Sequence, residues 1–189
     1  EQTAQGKEVK LTDIIDLYGH FTLAKRKDKK EVNNKQAAII SIGHFGGQFG
    51  YPDGDYATRD RIIADHTDYT LGLLHFLATD DSVPAALREE TKKWGLANDE
   101  FTDNGHWPYQ MYVREARRMR GELVVTQRDV QDDRHKPDSI AMGSHFIDSH
   151  HVQRVALSPT EFVNEGRIWE SGRAYQIPFR AITPKKEEC

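Results

Sequence analysis

Two groups of residues in this sequence have types and spacing suited to chemistry. His145, Asp148, His150 and His151 fall within one short segment, and imidazole with carboxylate suits zinc or a similar metal. On an extended strand, residues of equal parity share a face, which sets Asp148 beside His150 and puts His145 and His151 opposite. A three-ligand metal site from this segment alone is therefore awkward, although a metal-dependent hydrolase built on His145–His151 is one reading of it. The Asp148–His150 pair fits another chemistry: a carboxylate orients an imidazole and raises its basicity, as a general base requires. The same spacing fits an ordinary structural hydrogen bond equally well.

The second group is the run 105–126, GHWPYQMYVREARRMRGELVVT. Arg114, Arg117 and Arg118 alternate with Tyr112, Val113, Ala116 and Met119, so no regular conformation exposes every arginine while burying every apolar neighbour. A buried guanidinium needs a partner. Glu115 can serve one arginine, and a carboxylate or phosphate ligand can serve another through the bidentate fork. An internal Arg–Glu network explains the run as well as an anion site does. His106, beside Trp107 at its start, fits either a ligand-facing or a loop-packing role. No Gly-x-Ser-x-Gly elbow is present, so serine-based nucleophilic catalysis has no support.

Several elements must position these groups. Leu11–Tyr18 has the apolar spacing of two helical turns, and the basic run Lys25–Lys30 reads as a solvated loop. Ala37–Phe45 reads as a buried strand leading into Gly43, Gly46, Gly47 and Gly50, whose spacing is not a dinucleotide fingerprint and marks turns instead. Ile62, His66, Tyr69, Leu73 and Leu77 recur at steps of three and four and predict a helix over 56–78. On its face His66 and His75 are expected to be packed and hydrogen-bonded. Pro84–Trp94 reads as a shorter helix packing against it as a hairpin. Tyr109–Val113, Leu123–Thr126, Ser139–Ile147, Val152–Leu157 and Tyr175–Thr183 have strand-forming residues, and Thr126–Asp129 can cap a short segment. The pattern predicts an α+β fold with a mixed or antiparallel sheet and a helical hairpin. Residues 1–35 form a polar N-terminal segment and 36–189 one domain.

The chain of 189 residues is 37% hydrophobic and 30% charged, with a mean hydropathy of -0.74. That is low for a compact domain and suits a piece of something larger. A net charge of -4 gives no broad attraction to nucleic acid. No run of 18 apolar residues spans a membrane, and the first ten residues lack the apolar centre of a signal peptide. The pattern suits a cytoplasmic protein, or a periplasmic or secreted one whose leader has been removed. The single cysteine, Cys189, leaves no internal disulfide framework.

The series YPDGDYATR, DYTLGLLHFLATDDSVPAALREETKKWGLANDEFTDNGHWPYQMYVREARRM, GELVVTQRDV, PDSIAMGSHFIDSHHVQR and YQIPFRAITPKKEEC resembles the middle region of a large bacterial group of FAD-dependent oxidoreductases, some of which carry the label xanthan lyase. The resemblance covers 32–189 with its motifs in order. It implies a substrate-side domain inserted in a Rossmann-type flavoprotein, with FAD bound by a glycine-rich unit before it and a second unit beyond the Ile-Pro-x-Arg-x-x-x-Pro motif ending at Pro184. Neither unit is expected in this chain, which would then be a fragment inactive alone, with the rest of the flavoprotein as its partner. The reaction implied is hydride transfer from a small substrate to flavin; its identity is open, and a carbohydrate-related one rests only on the label that some relatives carry. The family's Arg-Glu-x-Arg-Arg falls on Arg114, Glu115, Arg117 and Arg118, its Asp-x-His on Asp148 and His150, and its motif arginine on Arg180. The resemblance assigns these residues no role; from the needs of flavin chemistry, Arg114, Arg117, Arg118, His106 and Arg180 are expected to bind substrate or flavin, and His150, oriented by Asp148, to take the proton. A stand-alone ligand-binding module without catalysis, recognising a sugar or acid through Trp107, Tyr109 and the arginines, is the alternative.

Overall fold

The computed structural model describes residues 10–18, 31–34, 40–113, 117–158, 161–170 and 173–188. The chain divides into two compact units, Glu1–Glu115 and Ala116–Cys189, with the boundary inside the arginine run. The architecture is α+β, and every strand pairing among the described residues is antiparallel. No helix among those residues is long and apolar enough to cross a membrane.

The first unit opens with a 3-10 turn, Leu11–Asp13, followed by strand β1, Ile15–Tyr18, paired with β2, Glu31–Asn34. The two helical turns expected over Leu11–Tyr18 are not formed. The Lys10 amide donates to the Asp13 carboxylate at 3.0 Å, closing one turn, and the β-branched pair Ile14 and Ile15 then favours extended backbone. Both isoleucines are buried. The strand expected over Ala37–Phe45 is also missing from the part described. Residues 40–45 run as bends and turns, because the Ser41 hydroxyl accepts the Gly43 amide and a side chain there takes the place of a ladder partner. Residues 35–39 lie outside the described set.

Helix α1, Tyr56–Thr79, forms where its periodicity predicts. Asp55 caps it by accepting the Thr58 amide at 2.8 Å. Along its inner face Ile62, His66, Tyr69 and Leu73 are half-buried and Leu77 is buried. Helix α2, Ala85–Thr91, starts after Pro84 and ends three residues short of Trp94. Leu77 of α1, Val83 and Leu87 meet Leu11, Ile14 and Ile15 in one core cluster, with Ile40, Ile42 and Leu73 packed against it. The Leu11 amide also donates to the Glu90 carboxylate at 2.9 Å, which ties the opening turn to α2.

The second unit holds helix α3, Gln127–Gln131, and three ladders: β3, Ser139–Gly143, with β8, Tyr175–Pro178; β4, Ile147–Asp148, with β7, Trp169–Glu170; and β5, Gln153–Ser158, with β6, Glu161–Glu165. The capping box of α3 uses Thr126 and Asp129, as its sequence predicts. Neither Tyr109–Val113 nor Leu123–Thr126 becomes a strand. The Leu123 amide donates instead to the Arg180 carbonyl at 3.1 Å and that of Glu122 to Thr183 at 3.1 Å. β8 stops at Pro178, after which Phe179–Ala181 forms a 3-10 turn.

Leu77 is 1% exposed at the centre of the first unit's core. Leu77→Ala is expected to cost about 2–4 kcal/mol of stability, read as a lowered midpoint of urea unfolding. A cost below about 1 kcal/mol would show that the core is not centred there.

Candidate functional site

The arginine run resolves its conflict by leaving apolar side chains in water. Arg117 and Arg118 are exposed, and so are Met119 at 50% and Tyr112 at 74%. Arg114 and Glu115, the inner members of the expected network, lie outside the described residues.

Arg180 is held within its own unit. Its Nε and Nη2 donate to the two oxygens of Asp138 at 2.9 and 3.0 Å, a bidentate pairing that spends one side of the guanidinium fork. The Arg180 amide donates to the same carboxylate at 3.1 Å. These bonds hold the Asp138 carboxyl down at about 2. Asp129 is held down to about 2 as well, through Thr126 first and then the Lys136 ammonium, which also contacts Asp133 at 2.7 Å.

The histidine segment is not a continuous strand. β4 ends at Asp148 because the Ser149 hydroxyl donates to the Ile168 carbonyl at 3.0 Å and accepts the Ile168 amide at 2.6 Å, replacing the next rung of the ladder. The face-sharing of Asp148 with His150 therefore does not arise. Asp148 is exposed, and the partner seen at His150 Nδ1 is the backbone carbonyl of His151 at 2.7 Å. A carbonyl can only accept, so Nδ1 carries the proton and Nε2 is the basic nitrogen. His145 Nδ1 likewise meets the Phe146 carbonyl at 2.7 Å, and its ring stacks on Phe146. Among the described residues no three His, Cys, Asp or Glu side chains are placed to hold a metal ion.

His106 belongs to the first unit, in a loop of unusual backbone. Phe101, Gly105 and His106 all have positive φ, at 49°, 61° and 64°. For Phe and His this costs about 1 kcal/mol or more each and persists only where the surroundings enforce it. The enforcing bonds are the Asn104 and His106 amides to the Phe101 carbonyl, both at 2.9 Å, and Asn104 Nδ2 to the Trp107 carbonyl at 2.9 Å. His106 Nδ1 meets the Glu100 carbonyl at 3.0 Å. The Tyr109 hydroxyl donates to Asp103, and the ring stands edge-on to Phe101.

The structure also pairs an imidazole with a carboxylate that the sequence reading did not single out. His44 Nε2 lies 2.7 Å from Asp65 Oδ2, and the His44 ring stacks on Tyr69 at 4.6 Å and meets His66 edge-on at 5.0 Å. Sequence reasoning missed His44 and Asp65 because they are 21 positions apart. The available signal was a histidine set among Gly43, Gly46 and Gly47 ahead of a helix with Asp65, His66 and Tyr69 on neighbouring positions.

A family model described as FAD dependent oxidoreductase matches residues 2–189. No curated protein and no solved structure matches the chain. Dinucleotide binding needs a glycine turn that delivers pyrophosphate to open amides at a helix N-terminus, usually from a parallel βαβ unit. The glycines before α1 lead to an N-terminus already capped by the Asp55 carboxylate, which sets negative charge where phosphate would bind. Arg59 nearby donates to the Tyr51 and Pro52 carbonyls at 3.1 and 3.0 Å. The described residues do not fit the ADP half of FAD.

Asp138 and Asp129 titrate near 2 when folded, against an ordinary 3.8. Between these values the folded chain binds fewer protons than the unfolded one, so their contribution is present above 3.8 and is lost as pH falls through about 2. Thermal melts across that window should show falling stability, with a shallower fall in Asp138→Asn. Equal slopes in both proteins would show that the Arg180 pairing does not support folding.

Proposed function

The chain belongs to the FAD-dependent oxidoreductase family, and we propose that it forms the substrate-side part of such an enzyme, acting on a small, carbohydrate-related compound. The match across 2–189 supports the oxidoreductase class of this reading. The units that bind FAD then lie in the remainder of the flavoprotein, which is this chain's partner.

On this reading His150 accepts a substrate proton at Nε2, its ring held by the His151 carbonyl, with Asp148 as the carboxylate of the same Asp-x-His motif. Arg114, Arg117 and Arg118 hold an anionic group of substrate or cofactor with their guanidinium forks. Arg180 binds substrate or flavin with its direction fixed by Asp138. His106 faces the ligand from a loop whose strained backbone suits a preformed binding surface.

That loop also favours a second reading, a ligand-binding module without catalysis, since Tyr109 and Tyr112 stand exposed beside it at 62% and 74%. One experiment separates the two. The natural gene product and this 189-residue chain are each purified and their retained FAD measured by absorbance and fluorescence. The first reading expects FAD on the natural product and none on the chain alone. A natural product of this length without flavin would leave the binding module.

In the flavin-loaded natural product, His150→Gln should lower turnover by roughly 10²–10⁴ if that nitrogen takes the proton. Turnover equal to wild type would remove His150 from the reaction.

A further inference from the structure

We infer that His44 is a proton-accepting site for a neutral hydroxyl-bearing ligand, oriented by Asp65 and seated on Tyr69. This goes beyond the reading above and does not depend on flavin. Asp65 Oδ2 lies 2.7 Å from His44 Nε2, so the carboxylate accepts a hydrogen bond from Nε2–H and Nδ1 is left as the basic nitrogen. Among the described residues Nδ1 has no hydrogen-bond partner, and the side chain keeps 29% of its surface open.

The ring is fixed on its other sides. Tyr69 covers one face at an interplanar angle of 13°, and its hydroxyl is anchored to the Ser41 carbonyl at 2.6 Å. Gly47 closes the Nε2 edge: a Cβ there would stand 2.5 Å from His44 Cδ2 and 2.9 Å from both His44 Nε2 and His66 Cε1. The backbone thus reserves contact with both imidazoles at one position where no side chain fits. His66 is locked in turn by its Nδ1 against the Ile62 carbonyl at 2.8 Å, which leaves Nε2 as its acceptor.

The cluster therefore offers two imidazole acceptors and one carboxylate, and among the described residues no Lys or Arg is seen to pair with them. That set favours neutral O–H donors and disfavours anions. When a ligand hydroxyl gives its proton to Nδ1, the O–H electron pair stays on oxygen, and the Asp65 charge stabilises the imidazolium. At His44 the partner is a side-chain carboxylate, whereas the Nδ1 atoms of His66, His106, His145 and His150 meet backbone carbonyls. A charged acceptor stabilises the protonated ring more than a carbonyl does.

The test is acylation by diethyl pyrocarbonate, whose carbonyl is attacked by an unprotonated imidazole nitrogen, followed residue by residue by peptide mass spectrometry. His44, though half-buried, should react faster than the exposed His75 and His135. Asp65→Asn should lower the His44 rate by roughly tenfold, the scale set by losing an orienting carboxylate, while Asp65→Glu restores it. Gly47→Ala, which displaces the rings and leaves both partners in place, should lower it too. Xylitol should shield His44 and sulfate should not. A His44 rate no faster than that of His75, or unchanged in Asp65→Asn with an intact circular dichroism spectrum, overturns the site. Shielding by sulfate, or by neither probe, overturns the ligand class. None of these readouts requires FAD or turnover, so their failure is distinct from failure of the oxidoreductase reading.

Discussion

The Asp138 carboxylate is the constraint on which the second unit depends. It receives the Arg180 amide and guanidinium together, while the Asp138 carbonyl accepts the Phe179 amide at 2.9 Å. These bonds fasten the start of β3 to the turn that follows β8. The Arg180 carbonyl in turn receives the Leu123 amide. Gly121 eases this approach, since a Cβ there would lie a tight 3.1 Å from the Arg180 and Thr183 carbonyl oxygens. One charged pair thus positions a strand pair, a turn and the exit of the arginine run. An arginine whose fork is already bidentate is better placed to hold a site than to grip a ligand.

The first unit works by a different constraint. Among its described residues, six buried apolar side chains gather around Leu77 and Leu87, and polar side chains bonded to backbone fix neighbouring irregular segments. Ser41, Asp55, Arg59, Tyr69 and Asn104 each satisfy a nearby amide or carbonyl. Such bonds fix irregular chain without a ladder. They also explain how the glycine loop before α1 stays rigid enough to present His44.

These two constraints decide how much the sequence could tell. α1 was legible because Ile62 to Leu77 keep strict helical spacing, and the α3 cap was legible because Thr126 and Asp129 are local. The α+β class followed from such segments. Leu11–Tyr18 misled because its apolar spacing satisfies both a helix and a turn followed by a strand, and the choice lies with Asp13 and Glu90. Leu123–Thr126 has strand-forming residues, but its amides go to Arg180 and Thr183, far along the chain. The site divides the same way. Family motifs pointed to Asp148 and His150, yet Ser149 breaks the strand between them. The His44–Asp65 pair has no local signal because a loop and a helix face create it.

The histidines show what such pairings contribute to chemistry. At His66, His106, His145 and His150 a backbone carbonyl selects the tautomer, which decides where a proton can be accepted. Selection alone leaves the cost of the resulting positive charge to the surroundings. At His44 the selecting partner is itself negative, so one contact both directs the proton to Nδ1 and stabilises the charge that follows. Asp65 is 62% exposed, and water screens its charge. The advantage of His44 therefore grows when a bound ligand excludes water from the pair, because the same charges then interact through a lower dielectric. An oriented base of this kind is modest in the free protein and gains strength from the molecule on which it acts.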